Sequence, residues 1–459
     1  MKYFFAIFGG FVAALWITAR LWVPPPHPPG VTVLSWSTDP NPARQTQLAP
    51  FHLLHPDILV KIEPNTYDKT IVQCSSRVGP DIIEIYSNTD MVGFAEAGIL
   101  MDLTPYAKDM GFSTDVTYPQ LRGNLVVEGR QYRFPCNVGN QVILYNKAKF
   151  REAGIAELED AMEWDDFIER VKPLTVRRKD GQGFEQFALL IGKDYVKDIH
   201  LQFGGRFYSE DGTRCTLDSP ESIQALEFYY DLMTRYGIVP TPMQAEALSA
   251  EGGWGSGEIR WFASGRASAI WGARWMMVQF RRYPELRENL GCVFLPRPKG
   301  RQPACYCGTR GSGVNVNSPN RMKALEFMKY LASDEYNRVI ALDSDGLPPN
   351  AAFASHPENL INPDYPWETP EFHAKFVEAM RYAQSPPVSP FVDPVVVNTI
   401  WVDAIDYITN GIKMPEAAMK EAAKRVNDRI DQNVRDREDL RQRYDQLRQA
   451  AGSAASGGG

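Results

Sequence analysis

The chain lacks most signatures of catalysis and metal binding. Its six cysteines, at 74, 136, 215, 292, 305 and 307, form no C-x-x-C pair, and only six histidines are present. Cys305-Tyr306-Cys307 is the closest approach, so a zinc site built on paired thiolates and imidazoles is not expected. There is no H-E-x-x-H and no G-x-S-x-G elbow; Gly253-Trp254-Gly255-Ser256-Gly257 has the wrong spacing around its serine. Gly308 to Gly313 is glycine-rich, but it lacks the preceding strand and following helix of a phosphate-binding loop. No motif asks for a cofactor. Fifty-six acidic residues put carboxylate pairs everywhere, so none is singled out as an acid–base couple. The net charge is −7 and no basic stripe is present, which argues against nucleic acid as a partner.

What is present describes a large folded protein. At 459 residues the chain exceeds one ordinary core, and two domains are expected. Charged residues at 23% and hydrophobic ones at 44% are those of a soluble globular chain. Aromatic content is 12%, with ten tryptophans. Most of these belong in cores, but Trp and Tyr also suit flat apolar ligand faces such as sugar rings.

Residues 1–30 read as a targeting segment. Lys2 precedes an apolar run from Tyr3 through Ala19, broken at Arg20 and resumed by Leu21-Trp22-Val23. That is close to the 20 or so residues that a membrane span needs, and Thr18-Ala19-Arg20 is a poor cleavage site. An uncleaved anchor is favoured over a cleaved signal, followed by a stiff spacer at Pro24 to Pro29. No cysteine follows that could carry a lipid. Either form puts the folded part outside the cytoplasmic membrane.

The folded chain opens as strand, helix, strand, helix. Val31 to Trp36, Leu59 to Ile62 and Asp81 to Tyr86 read as strands, and Gln45 to His52 as a helix. This order implies an α/β class with a parallel sheet, where ligands gather at the carboxyl ends of strands. Trp36, Ser37, Thr38 and Asp39 lie at one such end, and Tyr86 and Asn88 at another. Further on, Gly129 marks a tight turn and Pro135 stops the strand carrying Tyr132 and Phe134. A new apolar strand, Val142 to Tyr145, starts within a few residues, as where a chain leaves one sheet for another.

These residues also carry a resemblance. Gly129, Tyr132 and Pro135, then Leu144-Tyr145-Asn146-Lys147, Phe150 and Ala153-Gly154-Ile155, followed by Trp164-Asp165-Asp166-Phe167 and Leu174-Thr175, resemble the extracytoplasmic solute-binding proteins of ABC importers. The sugar-binding branch, typified by maltose-binding protein, is the nearer likeness, and it extends from about Val31 to about Ile430. It implies a two-lobed periplasmic-binding-protein type II fold hinged on crossover segments. Lobe 1 would take residues 31–136 and 310–350; lobe 2 would take 137–309 and 351–430. The stretch Phe262 to Trp275 resembles a family motif whose aromatic after a glycine stacks on a sugar; here Arg274 stands at that place, with Trp271 before Gly272 and Trp275 one later. Arg274 there could instead meet a carboxylate or phosphate. Gly308 to Gly313 would form the second crossover, a strand would follow at Val314 to Val316, and Gly346-Leu347-Pro348-Pro349 would form the third. The implied ligand contacts are Trp36, Ser37, Thr38, Asp39, Tyr86, Asn88, Tyr145, Trp254, Trp271, Arg274, Trp275 and Arg310. Adjacent crossovers would also bring Cys136 within bridging range of Cys305 or Cys307.

Beyond the family's terminal helices, Asp431 to Ala451 reads as a charged helical extension, with Leu440, Tyr444 and Leu447 on one stripe. It is expected to be a solvated single helix or, alternatively, a short coiled coil or a partner-docking helix. Gly452 to Gly459 reads as a flexible tail. Three function classes then compete: a binding protein delivering a solute, most plausibly a carbohydrate, to ABC permease subunits; an anchored ligand sensor; and a hydrolase, for which no signature exists. A polyamine or an organic or phosphorylated anion stays open as ligand.

Overall fold

The structure is a computed structural model describing residues 30–64, 66–179, 183–246 and 257–456, with a few positions before residue 17. Most of the expected anchor, and Trp254, lie outside the described residues. Among the described residues no helix is long and apolar enough to cross a membrane.

Two five-stranded sheets organise the chain. The first runs, in spatial order, Ile58–Ile62, Thr32–Ser37, Ile82–Ile85, Gly311–Val314 and Phe134–Pro135. Thr32–Ser37 pairs in parallel with both neighbours, as expected for strands joined through the helices Ala43–Leu54 and Tyr67–Ser75. Its core is built on Leu34, Trp36, Phe51, Phe134 and Phe327. The second sheet runs Leu290–Val293, Val142–Asn146, Ala267–Gly272, Phe184–Leu190 and Val176–Arg177. All five residues of Val142–Asn146 are buried, because this strand has a neighbour on each side and helices over the sheet.

The change of sheet occurs where the sequence implies it. Glu128 at φ 50° and Gly129 at φ 79° form the turn joining Val126–Val127 to Arg130–Gln131. Phe134–Pro135 is then the edge member of the first sheet, where the missing proline N–H costs no ladder bond. Within seven residues the chain enters the second sheet as Val142–Asn146. On the way Val138 bridges to Leu347 and Gly139 to Gly308, so all three crossovers lie side by side.

Three expectations are corrected. The strand at the second crossover is Gly311–Val314, not Val314 to Val316, and so it takes in glycines read as a loop. A Cβ on Gly313 would sit 2.7 Å from the Tyr132 carbonyl oxygen and 3.0 Å from Leu100; only glycine admits a ladder packed this closely. The cysteines do not bridge: all six are free. Cys136 Sγ lies 3.2 Å from Ser312 Oγ within the first core, while Cys305 and Cys307 belong to the second. Finally, the C-terminal extension is not one continuing helix. Helix Pro415–Asp436 ends at an extended Arg437, and a separate helix, Glu438–Ser456, follows and takes in the first residues of the expected tail. Its stripe is seated rather than solvated: Leu440 is buried and the Tyr444 ring meets Phe391 edge-on at 5.3 Å.

Candidate functional site

A cavity of about 350 Å³ opens between the two sheets, the size of a small-molecule site. Asp39, Arg44, Tyr86, Arg310 and Asp345 wall it from the first lobe, Gln141, Ala273 and Trp275 from the second, and Asn137, Gly139, Gly308 and Thr309 at the crossovers. A larger cavity, about 670 Å³, lies between the Gly204 to Gly212 segment and Gln384 to Pro390. None of the residues expected to contact ligand lines it, whereas four of them meet at the interlobe cavity, so the latter is taken as the site.

The first-lobe wall is a buried charge cluster. Arg44, on the inward face of helix Ala43–Leu54, donates to Asp39 at 2.8 Å, to Asp345 at 2.6 Å and to Gln47 at 3.1 Å. Arg310 pairs with Glu84 and with Asp345, the latter at 3.1 Å, and shares Gln47 Oε1 at 3.1 Å. Burial acts to raise the Asp39 carboxyl, but Arg44 beside it outweighs burial and holds it below the usual range. Asp345 is likewise held down by Arg44 and Arg310 against its burial. The Tyr86 hydroxyl lies 2.6 Å from Glu84 Oε2 and 2.9 Å from Asp39 Oδ2; burial, then these two carboxylates, push its pKa up.

Of the twelve residues expected to contact ligand, Asp39, Tyr86, Trp275 and Arg310 line the cavity. Trp36 does not: its side chain is fully buried in the first core, 5.1 Å from Phe327, with its indole N–H donating to Ser312. Ser37 and Thr38 are buried, and Thr38 donates to Glu84. Asn88 is buried in the first turn of helix Asn88–Glu96. Tyr145 points away from the cleft, donating to Glu157 and packing edge-on against Phe150. Trp271 is fully buried against Trp164, its N–H 3.3 Å from Asp198. All six residues of the strand Ala267–Gly272 are buried, and Trp271 is part of the second core.

Arg274 is the sharpest correction. It does not line the interlobe cavity; it is buried and donates to the carbonyls of Ala341, Gly346 and Leu360, and to His373 Nδ1 at 3.2 Å. Arg281 beside it forms a two-point pair with Glu368, at 2.6 and 2.8 Å, and donates to Leu342 O and Ser344 Oγ. Two second-lobe arginines therefore bind the carbonyl end of helix Asp334–Asp343 and the turn that supplies Asp345 to the cavity. Burial, then Arg274, lowers the His373 ring to about 4, so it is neutral with Nε2 3.1 Å from Glu368. Glu368 is held at about 2, because Arg281 and His373 overcome its burial.

Arg44, Gln141 and Asp345 escaped sequence reasoning. Arg44 and Gln47 sit three apart on a helix face with Leu48 and Phe51, and polar residues on an apolar face are the available signal. Asp345 lies between a left-handed Ser344, φ 56°, and Gly346, φ 89°. Gln141 carries no local mark. Among the described residues no group of His, Cys, Asp and Glu is placed to hold a metal ion.

The family model for bacterial extracellular solute-binding proteins matches residues 38–338. A diacetylchitobiose binding protein of Streptomyces coelicolor is 27% identical over 288 residues, 60% of this chain and 62% of that protein. An arabinooligosaccharide-binding protein of Halalkalibacterium halodurans is 33% identical over 223 residues, 48% of this chain and 47% of the relative. The chain thus spans less than two thirds of the length of these curated relatives. A Listeria monocytogenes ABC substrate-binding protein in complex with cycloalternan superposes with a TM-score of 0.73 at 22% identity, covering 87% of this chain and 98% of that one. A Mycobacterium tuberculosis protein in complex with glycerophosphocholine gives 0.72 at 17% identity, covering 88% and 100%. At these identities the likeness establishes the fold, the two-lobed periplasmic-binding-protein type II architecture.

Proposed function

The chain belongs to the bacterial extracellular solute-binding proteins, and from that membership we propose that it captures a small carbohydrate between its lobes and delivers it to the permease of an ABC importer. One observation carries the reading: the indole of Trp275 from one lobe and the polar cluster of Asp39, Arg44, Tyr86 and Arg310 from the other share one cavity. A sugar ring has an apolar face for the first and hydroxyls for the second. The lobe ranges 31–136 with 310–350, and 137–309 with 351–430, would close on it about the three adjacent crossovers. No step of covalent chemistry is part of this reading.

A thermal-shift screen of the chain from Gly30 onward against sugars, amino acids, polyamines and sugar phosphates tests it. Sugar at a hundred times its Kd stabilises by about 2.7 kcal/mol, a shift of several degrees. Stabilisation by amino acids or polyamines with none by sugars would overturn the carbohydrate assignment. Residues 1–30 would hold the protein at the outer face of the cytoplasmic membrane, which N-terminal sequencing of the membrane fraction tests: retention of Met1 to Gly30 supports the anchor, and a new N-terminus after the apolar run refutes it.

A further inference from the structure

The same cavity narrows the chemistry of the solute, on the premise that it is the solute site. We propose that the cleft rejects anions: its ligand lays hydrogen-bond donors, hydroxyls or an amine, along Asp39 and Tyr86, and carries no phosphate or carboxylate. Three observations converge on this.

The first is the charge count. Two guanidinium groups, Arg44 and Arg310, face three carboxylates, Asp39, Glu84 and Asp345, and among the described residues no other cationic side chain lines the cavity. One carboxylate is in excess before any ligand enters.

The second is that neither arginine offers the open two-pronged fork by which proteins hold phosphates and carboxylates. Both terminal nitrogens of Arg44 are engaged, on Asp345, Gln47 and Asp39. Those of Arg310 are engaged on Glu84, Gln47 and Asp345. Their Nε atoms have no partner, but they are buried singly and cannot provide a fork. An anion would have to displace a buried carboxylate to reach either.

The third is a missing proton. The Tyr86 hydroxyl has one hydrogen, yet it stands within hydrogen-bonding distance of Glu84 Oε2 and Asp39 Oδ2, and it accepts from the Asp39 N–H at 3.1 Å. If the hydrogen goes to Glu84, at the shorter distance, two oxygens face each other at the cavity edge with no hydrogen between them. The side chains of Asp39 and Tyr86 are partly exposed there. A ligand hydroxyl or ammonium supplies the donor that is lacking; a phosphate or carboxylate oxygen would add another acceptor. Across the cleft Gln141, Ala273 and Trp275 complete the wall and bring no cation to it.

The test is calorimetric titration of the full-length protein with matched series: glucose, glucosamine and glucose 6-phosphate, then a neutral disaccharide, its amine and its uronate. Neutral or amine members should bind at least a hundredfold more tightly than their anionic counterparts. Asp39→Asn should narrow that ratio by tenfold or more, a change in charge preference that loss of folding alone would not produce. An anionic member binding as tightly as its neutral partner overturns the inference and leaves the carbohydrate reading standing. Binding of a polyamine with no sugar bound does the reverse.

Discussion

His373 and Trp271 show, at the scale of single residues, how the interior sets chemistry that the sequence leaves open. Burial holds His373 near 4, against an ordinary value of 6.5. The unfolded chain therefore takes up the proton first as pH falls, and the folded state loses stability from about 6.5 down to about 4. His200, lowered to about 3 by burial, acts in the same direction; Asp198, pushed up to about 8 by burial, acts in the opposite one. The clean test is a difference: His373→Gln should remove about 1.4 kcal/mol per pH unit of acid sensitivity between those limits. Denaturant midpoints measured from pH 7 to 4 for both proteins give it, and parallel curves would refute it. Residue type and position pointed to this region, but not to which neighbour faces the cavity. Trp275 and Arg274 are adjacent, and the backbone sends the indole to the cavity and the guanidinium into the hinge. Nothing in a one-dimensional pattern separates them. Trp36 fails for a related reason, since a tryptophan at a strand's carboxyl end satisfies a core as well as a ligand.

Elements were far more legible. Alternation and breakers located the strand at Thr32–Ser37 and the exit at Pro135, because those signals are local. Ser219 caps the helix Pro220–Thr234, its side chain accepting from the Ser222 N–H, a local signal of the same kind. Gly311–Val314 was misread because its glycines answer to a distant chain: Tyr132 and Leu100 crowd the place a side chain would take. Gly313→Ala should therefore destabilise the first lobe by about 1–3 kcal/mol, as overpacking does. A melting temperature within a degree of the parent's would contradict this packing account. The C-terminal break at Arg437 was equally hidden. Charge and periodicity continue through it, and only the apolar face of the first helices explains why Leu440 and Tyr444 turn back.

Across the whole molecule, the lobes touch at places other than the crossovers. Helix Pro394–Thr409 packs on helix Asn88–Glu96, and Arg443 of the last helix pairs with Glu128 of the first-lobe hairpin at 3.0 Å. Being exposed, that pair contributes at most about 1 kcal/mol, a factor of about five in an open–closed balance. Separation of the lobes would break it, so Glu128→Lys should leave the melting temperature unchanged and shift the unliganded protein toward an open form with a larger radius of gyration. An unchanged scattering profile would remove the last helix from any part in closure. The two-lobed fold was readable because many weak local signals arrived in the right order. The charge cluster was not, because Arg44, Glu84, Arg310 and Asp345 are far apart in sequence and meet only once the sheet is assembled.

Both lobes are expected to hold one solute, and a pair of titrations tests this. Trp275→Ala and Asp39→Asn sit on opposite walls, and each should weaken binding of the same sugar by at least tenfold, about 1.4 kcal/mol, with folding intact. If either substitution leaves the affinity unchanged, the solute does not bridge the lobes and the cavity between them is not its site.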